Sequence, residues 1–105
     1  MRLLIVDDEP AVLRCLERIL RMHYEVTTVE RADAALILLA KRHFDAILVD
    51  VDMPGMRGDQ LKKHLGPLGA RVVMMSGGPM GGTEEVLAKP LDLGALMHAL
   101  DDVAA

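Results

Sequence analysis

The sequence predicts an α/β domain: a parallel β-sheet with helices packed on both faces. Two observations carry that reading. Short, nearly unbroken apolar runs at Leu3–Val6, Phe44–Val49 and Val72–Met75 alternate with segments of helical periodicity, and unbroken apolar strands suit a parallel sheet covered on both sides. Strand–helix alternation then implies right-handed crossovers. The first run ends in Asp7-Asp8-Glu9 and "ILVDVDMPG" ends in Asp50 and Asp52. In an open parallel sheet, residues just past the strand C-termini gather at one edge, where ligands bind.

Taken in order, Leu3–Val6 is a short buried strand. Val12, Leu16, Ile19 and Leu20 fall at i, i+4, i+7 and i+8, one face of a helix. Pro10 stands near its start, where proline is tolerated. "YEVTTV" (Tyr24–Val29) is β-rich and more polar, a more exposed strand. "AALILLAKRH" (Ala34–His43) is a second helix with basic residues in its last turn. Phe44–Val49 is the third strand, and Gly58–Leu65 a short helix stopped by Gly66 and Pro67. Val72–Met75 and the weaker Val86–Ala88 are strands four and five. A final helix, Leu91–Val103, carries Leu93, Leu96, Met97, Leu100 and Val103 on one side, with Asp92 as its N-cap.

Composition narrows the function classes. At 105 residues the chain is expected to be one domain, 1–105, and at 51% hydrophobic it can build a core. Phe44 and Tyr24 are its only Phe, Tyr or Trp residues, so that core is aliphatic and methionine-rich. A net charge of −4 argues against nucleic-acid binding. No stretch approaches membrane-spanning length, and no targeting signal is evident. Cys15 is the single cysteine, which fits a reducing, cytoplasmic compartment. Abundant Ala, Leu and Arg point to a GC-rich bacterial source.

The gathered carboxylates need a purpose. Asp7, Asp8 and Asp50 in one shallow site repel one another, and a divalent cation removes the conflict. Oxygen-only ligands suit Mg²⁺, which keeps waters and bridges to phosphate oxygens. An aspartate beside it can act as a nucleophile toward phosphorus. Ser76 and Lys89 also follow strands. A hydroxyl and an ammonium are suited to the equatorial oxygens of a transferring phosphoryl group.

Asp7-Asp8, Asp50 with "MPGM" behind it, Ser76, and Lys89-Pro90, each after its strand, together resemble a response-regulator receiver domain over nearly the whole chain. The resemblance implies a flavodoxin-like five-stranded sheet in the order 2-1-3-4-5. It implies Asp50 as phosphoacceptor, Ser76 as the switch hydroxyl and Lys89 as partner of the phosphoryl group or Asp50. Mg²⁺ would be held by Asp8, Asp50 and the backbone carbonyl of Asp52, with Asp7 acting mainly through water. The implied donor is a sensor histidine kinase or phosphotransfer protein. The output partner or domain is unidentified, and the family admits a homodimer. Such a protein is a switch, not an enzyme, catalysing only its own phosphorylation and dephosphorylation. Either a stand-alone regulator or the N-terminal receiver of a longer chain fits, the receiver itself being expected complete.

Two features depart from the family. Val86 stands where an aromatic switch residue is usual, three positions before Lys89. The crossover "SGGPMGGTEE" (Ser76–Glu85) has ten residues, with four glycines and a proline. Each Gly costs a helix about 1 kcal/mol and Pro about 3, so the fourth helix is expected missing or cut to about one turn. This loop is then the expected bistable element, and the face that usually carries signalling and dimer contacts is remodelled.

Competing readings are weaker. A pseudo-receiver that binds partners without phosphorylation would explain Val86 and the eroded helix, but not the retained acids, Ser76 and Lys89. Asp50-Val51-Asp52 resembles the DxD of haloacid-dehalogenase-type phosphatases, so a small Mg²⁺-dependent phosphatase is a third reading; that family needs more chain. "SGGPMGG" lacks the Gly-Lys-Ser/Thr ending of a P-loop. His23, His43, His64 and His98 are scattered over helix surfaces and ends. Cys15 is expected to be a semi-buried structural residue and Met74 and Met75 core; Met53 and Met56 are expected beside the site, with a partner-facing role as their minor reading.

Overall fold

The computed structural model describes residues 1–51, 71–77, 86–89 and 93–104. The expected helix over 58–65, the crossover at 78–85 with its missing fourth helix, and the Asp92 cap lie outside the described residues, as do Asp52, Met53, Met56, His64 and Pro90.

Among the described residues, five strands form one sheet: β1 (Arg2–Val6), β2 (Glu25–Val29), β3 (Ala46–Asp50), β4 (Arg71–Ser76) and β5 (Val86–Ala88). The order is β2-β1-β3-β4-β5 and every pairing is parallel. This is the flavodoxin-like arrangement. Three helices are described: α1 (Pro10–Leu20), α2 (Ala32–Leu39) and α3 (Leu93–Ala104).

The two-residue period of each strand sorts its side chains onto two faces. Leu3, Ile5, Ala46, Leu48, Val73 and Met75 meet Leu13, Leu16 and Leu20 of α1 and Leu96 and Leu100 of α3. Leu4, Val6, Ile47 and Val49 point the other way, onto Ala32 and Ala35 of α2 and onto Phe44. Both faces are covered, so every residue of β3 is buried. β2, at the sheet edge, is exposed at Glu25 and half-buried elsewhere, matching its polar composition.

Three local expectations are corrected. α1 buries Leu13, Leu16 and Leu20, while Val12 is half-buried and Ile19 is exposed. The helix is rotated so that the 13/16/20 stripe meets the sheet. Cys15 therefore faces solvent rather than lying semi-buried. α2 starts at Ala32 and ends at Leu39, not at His43, so no basic residue lies in its last turn. Asp33 lies in its first turn, where an acid is favoured; its Oδ1 accepts the Ala34 N–H at 2.9 Å and it pairs with Arg31. The chain then turns through 40–42, with the N–H groups of Lys41 and Arg42 on the Leu38 carbonyl, and delivers Phe44 into the core. Met74 and Met75 are core residues, and His23, His43 and His98 are exposed, as expected.

Candidate functional site: an acidic cluster at the strand ends

Parallel strands put their C-terminal ends on one edge, and the polar residues there meet. Asp7 follows β1, and its N–H extends the ladder by donating to the Val29 carbonyl at 3.2 Å. Asp50 closes β3, in register with Met75, and Ser76 closes β4 opposite Ala88. Lys89 follows β5, held there by its N–H to the Ser76 carbonyl at 2.9 Å. Asp7, Asp50 and Ser76 are the buried polar residues among those described.

Asp7 uses both carboxylate oxygens. Oδ1 accepts the Glu9 N–H at 2.9 Å, and Oδ2 accepts from Lys89 Nζ at 3.0 Å. The same ammonium donates to Asp50 Oδ2 at 3.2 Å. Desolvation pulls the Lys89 ammonium toward neutrality, but its hydrogen bonds to Asp7 and Asp50, and their charges, outweigh this and hold it above the ordinary lysine range. Lys89 is thus a fixed cation clamped between two buried carboxylates.

Carboxylate oxygens of Asp7, Asp8, Glu9 and Asp50 lie within 4.8 Å of one another. Among the described residues, four carboxylates against one ammonium leave a site of negative potential whose candidate ligands are all oxygens. That donor chemistry fits a hard divalent cation of the Mg²⁺ type. Asp8 and Glu9 are exposed and Asp7 and Asp50 buried, so the cluster has a solvent-facing mouth and a fixed floor. An open cleft of about 460 Å³ is lined by Pro10, Arg14, Glu17, Glu30 and Arg31, and none of the four acids of the cluster lines it.

Of the predicted site residues, Asp7, Asp8, Asp50 and Lys89 come together, and Ser76 is buried beside Lys89 through its carbonyl. The Asp52 carbonyl falls outside the described residues, and of Val86 only the backbone, in β5, is described. Sequence reasoning missed Glu9. The available signal was its place two residues beyond Asp7, where a turn returns its side chain to the same mouth.

The sequence matches the family model of the response regulator receiver domain over residues 3–101. The chain belongs to the response-regulator receiver family. Among curated relatives, the receiver is 39% identical to the two-component response regulator ARR2 of Arabidopsis thaliana, covering 93% of this chain and 17% of that protein. It is 45% identical to ORR26 of Oryza sativa subsp. japonica, covering 72% of this chain and 14% of that protein. The receiver therefore spans less than a fifth of the length of these relatives. Among solved structures, the receiver domain of the hybrid histidine kinase CckA superposes with a TM-score of 0.85 at 35% identity over 100% of both chains. The signal receiver domain of an HD domain-containing protein from Pseudomonas fluorescens Pf-5 gives 0.87 at 25% identity, covering 98% of this chain and 93% of that one. The two curated relatives are plant proteins and the Pseudomonas structure is bacterial, so similarity does not single out the bacterial source expected from composition.

Proposed function

We propose that this receiver is the phosphoacceptor of a two-component pathway and that Asp50 takes the phosphoryl group. The observation that carries the reading is Lys89 Nζ bridging Asp7 Oδ2 and Asp50 Oδ2 inside an oxygen-only acidic cluster at the sheet edge. Asp50 is fixed as the last residue of β3, with its carboxylate beside the Lys89 ammonium. Its oxygen attacks phosphorus, forming the acyl phosphate O–P bond. The P–N bond to a donor phosphohistidine breaks, and the electron pair stays on the imidazole nitrogen, which takes a proton from solvent. Lys89 is already within reach of the new phosphoryl oxygens, and Ser76 supplies a hydroxyl from the neighbouring strand end. Asp7 Oδ2 accepts from the same ammonium and so helps hold Lys89 in place.

Asp8, Asp50 and the backbone carbonyl of Asp52 would hold Mg²⁺, with Asp7 acting through water. When bound, the cation supplies the positive charge that phosphoryl transfer needs beside so many carboxylates. The donor is a sensor histidine kinase or phosphotransfer protein, and modification adds about −1.5 to −2 charge. A domain of residues 1–105 acting as a cytoplasmic switch for an output partner completes the reading.

The test is intact mass after incubation with Mg²⁺ and acetyl phosphate. One added phosphoryl group, absent from Asp50→Ala, is the expected result. No adduct, and no fluoroberyllate binding at millimolar Mg²⁺, would favour a pseudo-receiver that binds partners unmodified.

A further inference from the structure

Glu9 sits in two systems at once. Its backbone starts α1: the carbonyl accepts the N–H groups of Val12 and Leu13 at 3.1 and 3.2 Å, and its own N–H is held by Asp7 Oδ1 at 2.9 Å. Its side chain takes no part in capping the helix. Instead, Oε1 reaches to 3.7 Å from Lys89 Nζ, while the side chain stays 62% exposed. A fixed backbone thus aims a solvent-facing carboxylate at the ammonium that Asp7 and Asp50 grip from within.

We propose that Glu9 is a positioning residue that draws Lys89 toward the mouth of the site in the unmodified chain and raises the affinity of the acidic cluster for a divalent cation. This rests on the reading of the site given above. In the unmodified chain three carboxylates share Lys89. Asp7 and Asp50 are buried and immobilised by the sheet. Glu9 is the adjustable partner, because its contact is the longest and the most exposed. Once Asp50 carries a phosphoryl group, the new negative charge competes for Lys89 and repels Glu9. Breaking the long, wet contact costs least, so Glu9 is the partner Lys89 leaves. Before that step, the Glu9 charge lies within 4.8 Å of the other carboxylate oxygens and adds to their pull on a cation. It also opposes the approach of an anionic phosphodonor.

Glu9→Gln separates these roles from helix capping, since it keeps the shape and leaves the backbone bonds intact. The measurement is the Mn²⁺ dissociation constant by electron paramagnetic resonance at low and high ionic strength. It is paired with the rate of phosphorylation by acetyl phosphate at saturating Mg²⁺. Glu25→Gln, which removes the same charge at the opposite end of the sheet, is the control. For E9Q, Mn²⁺ affinity falls about three- to tenfold at low salt, as expected for one charge lost at this range in a solvent-facing site, and less at high salt. Phosphorylation of E9Q at saturating Mg²⁺ is faster than in wild type, and E25Q changes neither quantity. Equal Mn²⁺ affinity in E9Q and wild type, with wild type still taking up the phosphoryl group, overturns the role of Glu9 alone. Wild type that binds no Mn²⁺ and takes up no phosphoryl group overturns the reading of the site itself.

Discussion

Lys89→Met removes the ammonium that bridges Asp7 and Asp50 while keeping most of the side-chain volume. Nζ lies 3.0 Å from Asp7 Oδ2 and 3.2 Å from Asp50 Oδ2, and both carboxylates are buried. Taking one partner from a buried ion pair costs about 3–5 kcal/mol. Two features reduce this. The Lys89 side chain keeps 18% exposure, and Asp7 retains its bond from the Glu9 N–H. The expected loss is then about 2–4 kcal/mol at pH 7 in EDTA, between a charged hydrogen bond and a fully buried pair. Urea unfolding followed by circular dichroism reads this as a midpoint lowered by about 1–2 M with the slope unchanged. If the proposed Mg²⁺ site is occupied, millimolar Mg²⁺ should narrow the gap, because a bound cation would replace the lost positive charge and stabilise the fold it binds. The pH dependence has a defined sign. The folded-state value of Lys89 is raised above the ordinary 10.5, so its contribution is full below that value and fades as pH rises through the raised one. On the alkaline side, the difference between wild type and variant should therefore shrink as pH rises through that raised value. A variant within about 0.5 kcal/mol of wild type in EDTA, the range of an ordinary surface change, would refute the idea that Lys89 holds the two carboxylates together.

Leu48→Ala, at a fully buried position on the central strand, should cost about 2–5 kcal/mol in the same urea assay, and a smaller loss would mean that the sheet collapses around the cavity. At the opposite end of the sheet, Asp45 Oδ2 accepts the Arg2 N–H at 2.8 Å. That bond holds the carboxyl below its ordinary range; desolvation opposes the effect and His43 assists it. Asp45→Ala should cost about 0.5–1 kcal/mol at pH 7, a single hydrogen bond discounted for an exposed side chain. Because the folded value is depressed below 3.8, the contribution is present above that pH and is lost as pH falls through the depressed value. A difference from wild type that persisted unchanged in strong acid would contradict this.

Much of the fold was legible because its signals are local. Val86–Ala88 falls where the sequence puts it, and the first, third and fourth strands agree with expectation to within a residue or two at each end. Strand C-termini identified Asp7, Asp8, Asp50 and Lys89 because a parallel sheet sends every such end to one edge. Helix details were less legible. The pattern at Val12, Leu16, Ile19 and Leu20 is a valid apolar stripe, but Leu13 makes an equally good one with Leu16 and Leu20. Periodicity alone cannot rank two overlapping stripes. The end of α2 was misplaced because Lys41, Arg42 and His43 look like a favourable last turn, while the need to bury Phe44 ends the helix earlier.

The sequence by itself determined the parallel α/β architecture and the side of the sheet on which the acids gather. Those follow from strand polarity and from side-chain periods of 2 and 3.6, which belong to the chain locally. The family resemblance already paired Lys89 with the phosphoryl group or Asp50; only the tertiary structure decided that the same ammonium also holds Asp7, 82 positions away in the chain. It also decided that Glu9 turns its carboxylate to the same ammonium rather than to its own helix. Which charges meet depends on strand order, register and the path of the turn after β1. Those are settled by packing both faces of the sheet at once, and no local pattern encodes them.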